Sequence, residues 1–242
     1  IELNIIYEDD DLIVIDKQAG IVTHPAPGNQ TGTLVQALIY HSENKLSNIN
    51  GSNRPGIVHR LDKNTSGVMV IAKNNYTHVS LADQFKIHSI SRKYQAVIWG
   101  VPSNQTIEGY IERNKLNRKK MSLNNKEIGK YSKTEIKLLK SFQNSSLVEC
   151  LLHTGRTHQI RLHLTSTGTP IVGDDLYGKN KISKYGLDKK NFNKFLILKN
   201  FQRQALHAVH LGFFHPKLKK NMQFNSNLPE DMKNLLDLLI KY

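Results

Sequence analysis

The chain has 242 residues, enough to bury a sizeable core in one large domain or in two closely packed halves. It carries 34 Lys and Arg against 20 Asp and Glu, a formal charge of +14, and such an excess suits a polyanionic partner, with nucleic acid the first choice. A single cysteine, Cys150, excludes an internal disulfide and a cysteine-rich zinc site, and no apolar run approaches the ~20 residues of a membrane-spanning helix.

No signal-peptide pattern opens the chain, so a cytoplasmic protein with no membrane partner is expected. The first residue is Ile1 rather than Met, which reads as a processed or excised part of a longer protein. In chain order, "LNIIYEDDDLIVIDK" reads as two short strands around an acidic turn, because Ile5, Ile6, Leu12, Val14 and Ile15 favour extended backbone and Asp9 to Asp11 interrupt them. "QAGIVTHPAPGNQTGTL" is a Gly- and Pro-rich loop. It feeds a helix from about Thr33 to His41, with threonine as the cap and Leu34, Ala37 and Leu38 on one face.

Two strand-like runs, "GIVHRL" and "VMVIAK", flank the polar turn "DKNTSG". A helix follows over "NNYTHVSLADQFKIHSI", with Asn75 as cap and Val79, Ala82 and Phe85 in register. "SRKYQAVIWG" and "TIEGYIER" alternate as strands, whereas "RNKLNRKKMSLNNKEIGKYSK" is positively charged, has little apolar periodicity and reads as an exposed arm. "TEIKLLK" and "SSLVECLLH" are further strands, and Cys150 in the second is a buried core residue. A short helix begins after Thr157 in "THQIRLHLTSTGTP" and is stopped by Gly168 and Pro170. "LHAVHLGFFHP" and "NMQFN" are strands, and "LPEDMKNLLDLLIKY" is a closing helix with Pro229 near its first turn. Strands outnumber helices and often follow one another directly. The expected fold is therefore α+β, a mixed, largely antiparallel sheet flanked by helices and loops.

Metal chemistry finds little support in the 11 histidines. His207 and His210 point to opposite faces of a strand, and His158 and His163, five apart on a helix, share no face. A glycosidase needs two facing carboxylates. The polar turns offer Asp62 and, far downstream, Asp174 and Asp175, but "VGDDLYG" has the composition of a structural turn. No G-x-S-x-G elbow is present for a serine triad. What remains is one carboxylate, Asp62, among cationic neighbours, which fits a reaction that uses one aspartate and no metal or cofactor. Isomerisation of a nucleoside is such a reaction.

"HRLDKNTSG" closely resembles the signature of the RluA family of RNA pseudouridine synthases, and the resemblance makes Asp62 catalytic. "DKQAGIVTHPAPGNQTGTLVQAL" is similar to the family's first motif, with Gln-Ala standing where proline follows the lysine in the commonest wording. "RKYQAVIWG" carries the active-site tyrosine at Tyr94, and "TGRTHQIRLHLTSTGTPIVGDDLYG" is similar to the third motif, with Arg161 in its basic position. "RQALHAVHLGFFHP" resembles the closing strand, so the likeness runs from about Lys17 to Pro216 and is strongest toward the RluD type.

The resemblance implies a single pseudouridine synthase catalytic domain over residues 1–242, acting on large-subunit ribosomal RNA, free or within pre-ribosomal particles, without cofactor or metal; the oligomeric state is not readable from the sequence, and a monomer is the expectation. The small RNA-binding module that usually precedes this domain is not visible in the chain. Tyr94 would stack on the uracil and handle a proton, and Arg161 would pair directly with Asp62 to keep it ionised. Arg60, supported by His59, would insert into the RNA stack as the target nucleotide is extruded. Arg113, Arg118, Lys119 and Lys120 in the arm, Arg156 and His158 beside the third motif, and "KLKK" at 217 to 220 would grip RNA phosphates. The competing expectations are a non-catalytic RNA-binding or chaperone protein on the same scaffold and a uracil-directed glycosidase or deaminase. The deaminase zinc motif is absent from the sequence.

Overall fold

The computed structural model describes residues 1–25, 28–178 and 192–241; of the Gly- and Pro-rich loop, residues 26 and 27 lie outside that range. In chain order the elements are β1 (Ile5–Glu8), β2 (Leu12–Lys17), α1 (Leu34–His41), β3 (Ser66–Ala72), α2 (Asn75–Lys86), β4 (Ser91–Trp99) and β5 (Gln105–Arg113). They continue with β6 (Met121–Asn124), β7 (Lys130–Ser141), β8 (Ser145–Leu152), α3 (Gln159–Ser166), α4 (Phe192–Lys199), β9 (Leu206–His215), β10 (Lys220–Asn225) and α5 (Glu230–Lys241). The class is the expected one, α+β with a largely antiparallel sheet. Two compact units form, residues Ile1–Arg92 with Ala208–Asn227, and Lys93–His207 with Leu228–Tyr242.

In the first unit β2 lies between β1 and β3, and β9 pairs with β3 and, through His210 to His215, with β10. Leu12 and Val14 of β2 share a core with Val68, Val70 and Ala72 of β3, Leu81 of α2, Ile90, Leu211 and Phe213. Burying each such side chain stabilises the unit by roughly 1.5–3 kcal/mol. α1 begins at Thr33, whose backbone N–H donates to the Gln36 side chain at 3.0 Å. α2 is capped one residue earlier than expected, by Asn74, whose side-chain oxygen accepts the Thr77 N–H at 2.9 Å. That cap turns Thr77, His78 and Leu81 inward and leaves Val79 exposed, so the apolar face differs from the expected one.

"GIVHRL" is not a strand. Only Ile57 forms a bridge, to Ile71, and the Val70 N–H is taken by the Nε2 of His59 at 3.1 Å. A side chain thus stands where a ladder carbonyl would.

In the second unit the strand order is β4-β8-β7-β5-β6, with every neighbouring pair antiparallel. The expected arm is instead part of this sheet. β5 and β6 pair from Arg113↔Met121 to Tyr110↔Asn124, and β7 starts as early as Lys130. The loop 114–120 between them is held by its own asparagines: Asn114 Oδ1 accepts from the N–H groups of Leu116 and Asn117, and Asn117 Oδ1 accepts from Lys119 N–H. Helix α4 had no counterpart among the expected elements. Cys150 is buried, and burial pushes its thiol well above the ordinary range, as suits a core residue. Among the described residues no helix is long and apolar enough to cross a membrane.

Candidate active site

Asp62 sits in the first unit, half-buried, in a turn closed by Thr65 N–H to Asp62 O at 3.1 Å. The turn is fastened from outside. Lys17 is 1% exposed, and its ammonium donates to the carbonyls of Gln18, Ile21 and Lys63 at 2.8, 2.9 and 3.1 Å. Gly20 N–H also reaches Lys63 O, and the Thr23 hydroxyl donates to Leu61 O at 3.0 Å. A buried ammonium of this kind is tolerable because carbonyl dipoles replace its water. Downstream, Gly67 has φ +119, and a side chain there would run into the backbone of Ala208. Only glycine satisfies both the angle and the approach.

His59 and Arg60 precede this turn and differ from each other. His59 accepts from Val70 N–H and stacks on Phe85, with ring centroids 4.6 Å apart. Burial, with a smaller contribution from the charge of Arg92, pushes its pKa down to about 3, so the ring stays neutral. Arg60 is exposed. Buried His24 is lowered to about 4, first by burial and then by the charges of Arg60 and Arg54.

In the second unit Tyr94 is a buried residue of β4, opposite Cys150 of β8. Arg161 is a buried residue of α3 and makes a two-pronged ion pair with Asp174: Nε to Oδ2 at 2.7 Å and Nη2 to Oδ1 at 3.0 Å. Asp174 Oδ1 also accepts from Leu176 N–H and Tyr177 N–H. Gly173, with φ +73, lets the chain pass so close to the Arg203 carbonyl that no side chain fits there. The planar fork of Arg161 is therefore fixed in orientation by a second carboxylate that turn composition had assigned a purely structural role. The sequence did hold a clue, because Asp174 lies in the same matched segment as Arg161.

A buried polar network fixes α3 on β7. Gln159 donates through Nε2 to Lys133 O and Thr134 Oγ1, and its Oε1 accepts from the Thr154 hydroxyl at 2.7 Å. His163, fully buried, lies between Ser132 Oγ at 3.0 Å and Thr134 Oγ1 at 2.9 Å. The Ser132 hydroxyl donates to Gly109 O, so Ser132 accepts from Nε2–H of His163, and in the neutral ring Nδ1 accepts from the Thr134 hydroxyl. Burial lowers the His163 pKa to about 4.

Most residues expected to grip RNA lie in the second unit, whereas the "KLKK" residues 217 to 220 are exposed in the first, between β9 and the start of β10. Arg113 ends β5 and donates through Nη1 to Arg118 O at 2.7 Å; Arg118 and Lys119 are exposed in the loop, and Lys120 is half-buried beside β6. Arg156 donates through Nε to Tyr131 O. His158 precedes α3 in the left-handed conformation, φ 58, and shares a hydrogen bond of 2.7 Å with the Tyr177 hydroxyl.

Among the described residues, one group has metal-ligand geometry: Asp9, Asp11 and His215 bring their ligand atoms within 4.8 Å of one another. Its members are hydrogen-bonded to the chain around them, Asp11 accepting through Oδ1 from Asn74 Nδ2. Asp9 accepts from the Tyr7 hydroxyl, Asp11 N–H, Leu12 N–H and His215, while His215 Nδ1 accepts from Leu218 N–H. The arrangement serves the β1–β2 turn.

Comparison with known proteins agrees with these motifs. The family model for RNA pseudouridylate synthase matches residues 11–166. Ribosomal large subunit pseudouridine synthase D of Zymomonas mobilis is 46% identical over 241 residues, which is 99% of this chain and 74% of the relative. The protein of the same name in Buchnera aphidicola subsp. Baizongia pistaciae is 47% identical over 242 residues, covering 99% and 73%. Among solved structures, human RNA pseudouridylate synthase domain containing 4 superposes with a TM-score of 0.72 at 25% identity, covering 98% of this chain and 93% of that one.

A fold of this class, with the signature turn around Asp62, makes the chain a member of the RNA pseudouridylate synthase family. More narrowly it is an RluA-type RNA pseudouridine synthase, an isomerase closely related to ribosomal large subunit pseudouridine synthase D.

Proposed function

We propose that this enzyme isomerises uridines of large-subunit ribosomal RNA, in the cytoplasm and as a monomer, either on free RNA or on pre-ribosomal particles. The observation that carries the reading is the identity of 46% and 47%, over nearly the whole chain, to relatives named for the large ribosomal subunit.

In the reaction the N1–C1′ bond breaks, the uracil turns, and C5 joins C1′; C5 loses its proton and N1 gains one. No net oxidation occurs and no group leaves. Asp62 is proposed as the group that acts on the nucleotide, by attack at C1′, by addition at C6, or by stabilising a cationic or glycal-like sugar. All three routes need the carboxylate ionised in a partly dry pocket, and Arg161 is proposed as the cation that keeps it so. Asp174 takes the Nε and Nη2 edge of Arg161. Tyr94 is proposed to stack on the uracil and move the proton, and exposed Arg60 to fill the gap left by the extruded nucleotide. His59, tied to Val70 and Phe85, supports Arg60 by anchoring the chain just before it. The basic loop 114–120 with Arg113, together with Arg156 and His158, supplies phosphate contacts that set affinity and salt dependence.

The test is a map of pseudouridines in cellular ribosomal RNA with the natural gene and with an Asp62→Ala copy. Loss of defined large-subunit sites in the Asp62→Ala cells supports the reading, and an unchanged large-subunit map rejects it.

A further inference from the structure

Tyr177 holds a place in the second unit that no motif assigned to it. Its hydroxyl accepts the N–H of Met121 at 2.8 Å, and Met121 is the residue immediately after Lys120 and the β6 partner of Arg113. The same hydroxyl shares the 2.7 Å bond with Nδ1 of His158. Its ring lies under the Arg161 guanidinium, 5.1 Å from Cζ to the ring centroid, and meets the His158 ring edge-on at 5.6 Å. Its backbone N–H donates to Asp174, the partner of Arg161. One phenol therefore touches the base of the basic loop, the residue before α3, and the cation proposed to face the reacting group.

His158 adds a second observation. A non-glycine residue at φ 58, ψ 20 is strained, and no side chain of its own caps the helix that follows. The bond to Tyr177 holds that residue at the junction between α3 and the basic loop.

We propose that Tyr177 is a positioning residue that locks the basic β5–β6 loop to the start of α3, so that RNA gripped by the loop is presented to Arg161 in fixed register. The ring supports Arg161 by a cation–π contact, and the hydroxyl carries the link to the loop and to His158. The inference rests on the proposed RNA role of the loop and of Arg161.

Tyr177→Phe separates the two functions, because it keeps the ring and removes the hydroxyl. Release of the C5 label from large-subunit ribosomal RNA transcribed with tritiated uridine gives kcat and KM. The expected result for Tyr177→Phe is a KM raised roughly five-fold, about one hydrogen bond's worth, with kcat within about two-fold. In a background of Arg118→Ala, Lys119→Ala and Lys120→Ala, which raises KM by itself, the added Tyr177→Phe change should cost less than about two-fold. Tyr177→Leu, which removes the ring as well, should also lower kcat. An unchanged KM in Tyr177→Phe, or KM effects that simply multiply with those of the loop, overturns the proposal, even if thermal stability drops. Failure of the natural enzyme to release label is a different result and rejects the functional reading instead.

Discussion

The turn around Asp62 and the corner around Arg161 present oppositely charged side chains by opposite means. Asp62 stands in irregular chain, half-buried, and its turn is held by bonds to backbone carbonyls from Lys17, Gly20 and Thr23. Arg161 stands on a helix, buried, with its own side chain fixed by Asp174 and its helix fixed by Gln159 and His163. In one region the backbone is clamped around the carboxylate; in the other the side chain itself is clamped. A carboxylate proposed to meet the sugar or base of a changing substrate gains from a rigid turn. A cation that only needs to stay charged and oriented gains from a permanent counter-ion.

Tyr94 sharpens the contrast most, because it is presented from a strand, β4, rather than from a turn or a helix. Tyr94→Phe preserves its packing opposite Cys150 and should leave RNA binding intact while turnover falls by about 10²–10⁴-fold, the range for a lost proton-transfer group. Stopped tritium-release assays beside filter binding will show it; retained turnover removes the proton role.

The clamps themselves are the next target. Asp174→Asn keeps the shape of the side chain but removes the charge that Asp174 sets against the buried Arg161, a change expected to cost about 3–5 kcal/mol of stability. Lys17→Met removes a donor from the carbonyls around the Asp62 turn and should cost about 1–3 kcal/mol, with turnover falling while RNA affinity holds. Urea unfolding of both variants decides the order. Equal or reversed costs would erase the distinction between a clamped side chain and a clamped backbone.

The last effect is one the two regions share. His59 and His163 are held neutral, with pKa values lowered to about 3 and about 4, below the unfolded value near 6.5. The unfolded chain therefore takes up protons that the folded chain refuses, so stability is complete above pH ~6.5 and declines as pH falls toward those lowered values. For His163 the loss at pH 5 is roughly 2 kcal/mol. Urea midpoints should fall between pH 7 and pH 5, and His163→Gln should flatten that fall. A midpoint independent of pH contradicts the neutral network.

Much of this was legible in the sequence where a local rule had no competitor. Alternation and β-branched runs marked β1, β2, β4, β5, β8 and β9, and Pro229 marked the start of α5. "GIVHRL" misled because its apolar residues anchor a loop, and the side chain of His59 replaces the strand that its composition suggested. The basic arm misled for the opposite reason: β6 and the start of β7 carry polar and charged residues, such as the exposed Lys130 and Tyr131, so their pairing left no apolar period to read. Motif wording singled out Asp62, Tyr94 and Arg161, whose roles are proposed above. It did not single out Asp174 and Tyr177, since their roles depend on which side chains the fold brings to one corner, and turn composition says nothing of that.

The most direct test is Asp62→Asn, which keeps size and hydrogen bonding and deletes one negative charge. Assayed on tritiated ribosomal RNA, the variant should bind RNA within about two-fold of the natural enzyme and release no C5 label above background, a loss of at least ~10³-fold in turnover. Label release at the natural rate would contradict the central claim that an ionised Asp62 carries the isomerisation.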